Sequence, residues 1–180
     1  MAKNDKFRGG LSLRKFLILQ FITFGLYTIY WFYRSWKQIN MTGVRKEKIR
    51  PGLRTLGLFV PVYNFWLAYD LFRDIFMVAS KNKIKTNRTT GEMFLFFIVA
   101  SFISLRTDIM FMKMYGPLAM LPLLIVLLPA VTLIPIQKIM NAYWAKERVP
   151  VENSFNCREV LIVCLFVIIL LIYIVDSFFP

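Results

Sequence analysis

The stretch FLILQFITFGLYTIYWFY, residues 16–33, is an 18-residue apolar run interrupted only by Gln20 and by small or hydroxylated residues (Thr23, Gly25, Thr28). At 1.5 Å per residue an unbroken helix over it reaches about 27 Å, close to the ~30 Å of hydrocarbon in a bilayer. Read as a helix, it is a first membrane span. Lys3, Lys6, Arg8, Arg14 and Lys15 stand before it, and Tyr27, Tyr30, Trp31, Tyr33 and Trp36 crowd its far end. A basic leader and an aromatic belt suit a retained anchor at a lipid interface rather than a cleaved signal peptide.

The rest of the chain extends that reading. Of 180 residues 58% are hydrophobic and 17% aromatic, and 23 Lys and Arg against 10 Asp and Glu leave a formal charge of +13. Disordered, collagen-like and disulfide-scaffold classes are excluded by this composition. Three further apolar stretches, at about 93–112, 118–136 and 160–177, predict spans. The expected fold is all-α, a polytopic transmembrane helical bundle of four (alternatively five) spans plus an amphipathic interfacial helix. Residues 53–80 decide between the two counts. Their apolar part, 56–69, contains Pro61 and Asn64 and is short for a full crossing, so 53–80 is read as re-entrant or interfacial. Beyond Asn64, taken as an N-cap, Leu67, Leu71, Ile75 and Val78 define one helical face. Asp70, Arg73, Asp74 and Met77 define the other, continuing to Lys81.

Charge sets the expected orientation. Residues 34–92 carry 12 Lys and Arg and residues 137–159 carry 4, against 5 before residue 16 and 2 in 106–117. Basic loops stay on the cytoplasmic side. The sequence therefore predicts a multi-pass protein of a bacterial cytoplasmic (inner) membrane, with 137–159 cytoplasmic and the C-terminus outside. The side of the N-terminus depends on whether 56–69 crosses.

Residues 22–33, ITFGLYTIYWFY, running on to Lys37 and Asn40, carry a T-x-G-x-Y-x-x-Y-W-x-Y pattern at Thr23, Gly25, Tyr27, Tyr30, Trp31 and Tyr33. In this the chain resembles a family of small bacterial inner-membrane proteins filed as a domain of unknown function. The likeness is looser over Pro51 to Ser80 and returns at Pro135-Ile136-Gln137-Lys138 to Asn141. The basic segment 41–50 departs from the pattern. The resemblance implies a bacterial membrane address, and it transfers no activity and no functional residue.

Chemistry is bounded by what the chain lacks. With no His, a His-ligated metal and a Ser-His-Asp triad are excluded. Cys157 and Cys164, seven apart on a helical segment, lie ~10 Å apart along the axis, too far for a bridge. No cofactor, metal site or catalytic constellation is predicted. Arg45, Lys46, Lys48, Arg50 and Arg54, with Lys81, Lys83, Lys85 and Arg88, form juxtamembrane basic clusters expected to contact anionic headgroups on the cytoplasmic face. Nucleic acid is not expected as a partner, because no loop is long enough to fold a reader domain. The expected partners are the lipid bilayer and either a second copy or another membrane protein.

Three functions are compatible with these residues. The leading one is a non-catalytic accessory, regulatory or assembly factor acting through helix and anionic-lipid contacts. The first alternative is a small oligomeric transporter or channel component using the intramembrane polar pair Arg106 and Asp108. The second is a lipid-modifying enzyme in which Asp70 and Asp74, one turn apart, hold a divalent metal. The bland expectation for these two aspartates is a solvated helix face.

Overall fold

In the computed structural model the 16–33 run is two helices. It describes residues 7, 9–111, 125, 127–155, 159–161, 163, 164, 167 and 168. Helix α1 (Leu13–Ile22) is capped at its start by Ser12 and ends at Thr23; α2 (Tyr27–Thr42) starts a new direction. Between them Phe24 and Gly25 take φ of 47° and 83°. That left-handed backbone interrupts the helical hydrogen-bond ladder, and Gly25 accepts it without a Cβ clash. Thr23 joins the two pieces: its Oγ1 donates to the Leu19 carbonyl at 2.8 Å and accepts from the Tyr27 amide at 2.9 Å.

Next come α3 (Pro51–Gly57), α4 (Tyr63–Lys81), α5 (Thr90–Phe111), α6 (Leu128–Thr132) and α7 (Ile134–Lys146). A two-stranded parallel ribbon joins β1 (Gly10–Leu11) to β2 (Val151–Glu152), pairing Gly10 with Val151 and Leu11 with Glu152. The chain thus closes its N-terminal strand onto the segment after α7.

The core lies where α2, α4 and α7 meet. Trp31, Phe32, Trp36 and Ile39 come from α2, Leu67, Leu71, Phe72, Ile75 and Val78 from α4, and Ile136, Met140 and Trp144 from α7. The α4 residues recur at three- and four-residue spacing and so occupy one stripe. Phe97 adds α5 to this core, its ring 6.1 Å from Phe32 and 5.7 Å from Phe72.

These elements correct the expected bundle. Among the described residues no helix is long and apolar enough to cross a membrane. The 16–33 stretch fails because it turns at Phe24 and Gly25, leaving α1 with 10 residues, about 15 Å. Helix α5 takes in Glu92, Arg106 and Asp108, which confines the uncharged part of 93–112 to about 20 Å. The described part of 118–136 breaks at Leu133 between α6 and α7; its residues 118–124 and 126 lie outside the described residues. So does most of 160–177. The multi-pass placement in a bacterial inner membrane, with 137–159 cytoplasmic and the C-terminus outside, falls with the spans. The mostly helical character stands.

Candidate functional site

Asp70 and Asp74 face inward. They sit one turn apart on α4, 3% and 0% exposed, and three arginines reach them. Helix α2 ends at Gly43, whose left-handed φ of 64° reverses the chain. Asn40 then holds the returning segment, its side chain accepting from the Ile49 amide and donating to the Ile49 carbonyl, both at 2.8 Å. This places Arg45 over α4, where Nε donates to Asp74 Oδ2 at 2.6 Å and Nη2 lies 2.5 Å from Asp70 Oδ2. Arg54 of α3 donates to the same Asp70 oxygen, and Arg73 to Oδ1 at 2.5 Å.

The two carboxylates respond differently. Burial pushes Asp70 up, but hydrogen bonds from Arg54 and Arg45 outweigh it and hold the acid below its ordinary value. For Asp74 burial dominates and the acid is raised, with one arginine contact and Asp70 as a like-charged neighbour. Burial opposes the Arg45 charge too, yet Asp74 and Asp70 hold its guanidinium above the usual range. The expected solvated face for this pair is thus corrected: spacing identified a shared face but not its direction. Three guanidinium groups already surround two carboxylates, so the electrostatics there disfavour a divalent cation. Among the described residues no group of three or more His, Cys, Asp or Glu could hold a metal ion.

A second buried network ties the chain ends together. Lys15 Nζ lies 3.0 Å from Glu152 Oε1 and 2.7 Å from Glu159 Oε2, and donates to the Ser154 carbonyl at 2.7 Å. Arg34 Nη1 pairs with Glu152 Oε2 at 2.7 Å. Burial works against the Glu152 charge, but Arg34 and Lys15 hold it below the ordinary glutamate range. Gln38 donates to the carbonyls of Phe7 and Gly9. Trp31 Nε1 donates to Gln137 Oε1 at 2.6 Å, and Gln137 Nε2 to Asn141 Oδ1 at 2.8 Å. Burial, followed by the Glu159 charge, pushes the nearby Tyr27 hydroxyl far up, so it stays protonated. Arg34, Glu152 and Glu159 were not singled out from sequence, and Lys15 entered only as part of the basic leader; the available signal was a lysine directly abutting an apolar run.

The basic clusters divide. Arg45 and Arg54 turn inward to the aspartates, whereas Lys46, Lys48 and Arg50 are exposed on the segment between α2 and α3. Lys81, Lys83, Lys85 and Arg88 are exposed at the end of α4 and in the loop to α5, where Arg88 stands over the Phe96 ring at 4.8 Å. At the other end of α4, α3 and the turn that follows it present Leu53, Leu56, Phe59, Val60 and Val62 to the outside. Val62 takes φ of 68°, a conformation β-branched residues rarely adopt, and is 79% exposed. Tyr63 and Trp66 stack just beyond it with centroids 5.5 Å apart. The outer stripe of α4 runs from these rings through Tyr69 to Arg73, Met77 and Lys81, all exposed.

Arg106 is exposed on α5. The Asp108 backbone belongs to the same helix, and its side chain lies outside the described residues. Cys164 is exposed and unbridged; Cys157 lies outside the described residues.

A family model described as a domain of unknown function (DUF4328) matches residues 1–98, more than half of the chain, and the protein belongs to that family. The matched part contains α1 to α4, both aspartates and all three of their arginines. No curated protein and no solved structure matches the chain.

Proposed function

We propose that this protein is a non-catalytic accessory factor that docks on anionic lipid surfaces and presents its helices to other proteins there. One observation carries the reading: the outer stripe of α4 leads from an exposed apolar and aromatic end, Val62, Tyr63 and Trp66, to exposed cations at Arg73 and Lys81. Lys46, Lys48, Arg50, Lys81, Lys83 and Lys85 form no ion pair with any described residue. Contiguous exposed apolar surface marks an interaction site. Stacked Tyr63 and Trp66 suit headgroup depth, where one edge of a ring is apolar and the other wet. Each lysine or arginine near an anionic surface adds ~1 kcal/mol.

Flotation with phosphatidylglycerol and phosphatidylcholine vesicles tests this. The protein is expected to float with the anionic vesicles and to stay behind with the neutral ones. Replacing Lys46, Lys48 and Arg50 together by Glu should weaken anionic binding by at least about 100-fold. Equal recovery with both vesicle types would overturn the reading.

A further inference from the structure

A cavity of about 420 Å³ opens between the loop from α4 to α5 and one face of α7. On α7 that face is Pro135, Lys138, Ile139 and Ala142, whose three- and four-residue spacing puts them in one stripe. Opposite it, Lys83 takes a left-handed φ of 52° and turns the chain after α4, and the loop lines the cavity from Ile84 to Arg88. Lys146, one turn beyond Ala142, donates to the Asn82 carbonyl and pins the start of the loop to α7. The volume falls within the roughly 300–1,000 Å³ of small-molecule sites.

The lining divides by chemistry. Half-buried Phe76 and buried Met93 and Ile139, from three different helices, give it an apolar floor. Lys85, Arg88 and Lys138 are exposed, so a ligand meets them from solvent. None of these cations forms an ion pair with a described residue. Arg88 stands over the Phe96 ring, a contact that holds the guanidinium without neutralising it. No carboxylate stands among the described lining residues. Glu92, the acid nearest the loop along the chain, spends Oε2 on the Thr89 amide at 2.8 Å. Three unneutralised cations brought to one cavity repel one another, and a bound anion relieves that repulsion.

We propose that this cavity binds a phosphate monoester bearing an apolar group. The phosphate lies among Lys85, Arg88 and Lys138, and the apolar group rests on Phe76, Met93 and Ile139. A monoester carries about 1.5 to 2 negative charges at neutral pH and three strong acceptor oxygens, so it matches several cations at once. A carboxylate brings one charge and two oxygens and leaves more of this set unmatched. Thr86 and Asn87 add uncharged donors from the same loop. The site does not rest on vesicle docking, although Lys85 serves both: its ligands are soluble, and Lys138 is not among the docking cations.

Hexyl phosphate, inorganic phosphate and hexanol are the probes, with calorimetry on the full chain at constant ionic strength. Hexyl phosphate should bind about tenfold or more tighter than either of the others, since each of those lacks one half of the ligand. Lys138→Gln should weaken hexyl phosphate by about tenfold, the worth of one charge-assisted hydrogen bond, and leave hexanol unchanged. Lys48→Gln removes an exposed cation outside the cavity and should change neither. Lysophosphatidic acid, kept below its micelle concentration, separates the two sources of such a phosphate. Tighter binding than hexyl phosphate supports the site with a lipid headgroup as its source, and weaker binding supports it with a soluble phosphate ester. Hexyl phosphate that binds no tighter than hexanol, or that is indifferent to Lys138→Gln, would overturn the proposal.

Discussion

Asn141 grips the backbone of Leu11 from both sides. Its Oδ1 accepts from the Leu11 amide and its Nδ2 donates to the Leu11 carbonyl, each at 2.8 Å and across 130 residues of chain. The side-chain amide acts as one more peptide unit, so β1 is held by a helix on one side and by β2 on the other. Gly10 is part of the arrangement: a Cβ there would lie 2.8 Å from Asn141 Oδ1. Asn40 holds Ile49 in the same way, so α2 and α7 each use an asparagine in their last two turns to anchor another segment.

Asn141→Ala should therefore destabilise the fold by about 2–4 kcal/mol, because it orphans a buried donor and a buried acceptor together. Asn141→Asp keeps the acceptor alone and should fall between wild type and Ala. Urea unfolding measures both. A loss below about 0.5 kcal/mol for Ala would show that water replaces the amide and that the grip is incidental.

Lys15 is 2% exposed and carries two glutamates. Lys15→Met leaves Glu159 without this cation in a buried site, while Arg34 still covers Glu152. The expected cost is about 3–5 kcal/mol. Adding Glu159→Leu should recover part of it, since two apolar groups replace a buried pair at little net cost. No recovery in the double variant would mean that Glu159 is held by groups other than Lys15.

Acid should weaken the fold through Glu152 and Asp70. Both are held below their ordinary values, so each stabilises above the unfolded carboxylate range and loses that contribution as pH falls through its folded value. Asp74 is raised, so its contribution is complete below its unfolded value and disappears as pH rises through the folded one. Glu152→Gln should be less stable at neutral pH yet lose less between about pH 5 and pH 3. Asp74→Asn, which resembles the protonated acid, should differ most from wild type at neutral pH and converge on acidification. Stability curves that run parallel across pH for all three proteins would contradict this assignment.

Vesicle binding should separate into two parts. Raising salt should weaken the contribution of Lys46, Lys48 and Arg50, because exposed charges are screened beyond about 8 Å at physiological ionic strength. Trp66→Ala removes apolar contact and should lower binding by about tenfold at every salt concentration. A Trp66→Ala effect that vanishes at high salt would assign that ring to positioning the cations instead.

The face of α4 was legible in the sequence because helical periodicity is local. Leu67, Leu71, Ile75 and Val78 repeat at three and four residues, and all four are buried. Pro61 likewise marked the break between α3 and α4, since proline lacks the amide a helix needs. The T-x-G-x-Y-x-x-Y-W-x-Y residues pointed to a family of unknown function, and they lie inside the stretch 1–98 that such a family model matches. Asp70 and Asp74 were visible as a pair with Arg73 between them, but Arg45 and Arg54 were not visible as their partners, because Arg45 lies 29 residues before Asp74 and Arg54 lies 16 before Asp70.

The 16–33 run shows the same division at larger scale. Hydropathy adds residues as though they lay on one axis, and it predicts a span wherever enough apolar side chains follow one another. It carries no term for the left-handed φ of Phe24 and Gly25, which turns the run into α1 and α2. Nor can it show that Lys15, at the edge of that run, meets Glu152 and Glu159 near the other end of the chain. Residue order dictates which side chains share a helical face, because that depends on neighbours within one or two turns. Which charges meet, and which faces are covered, depends on how distant helices come together, and that was settled in three dimensions.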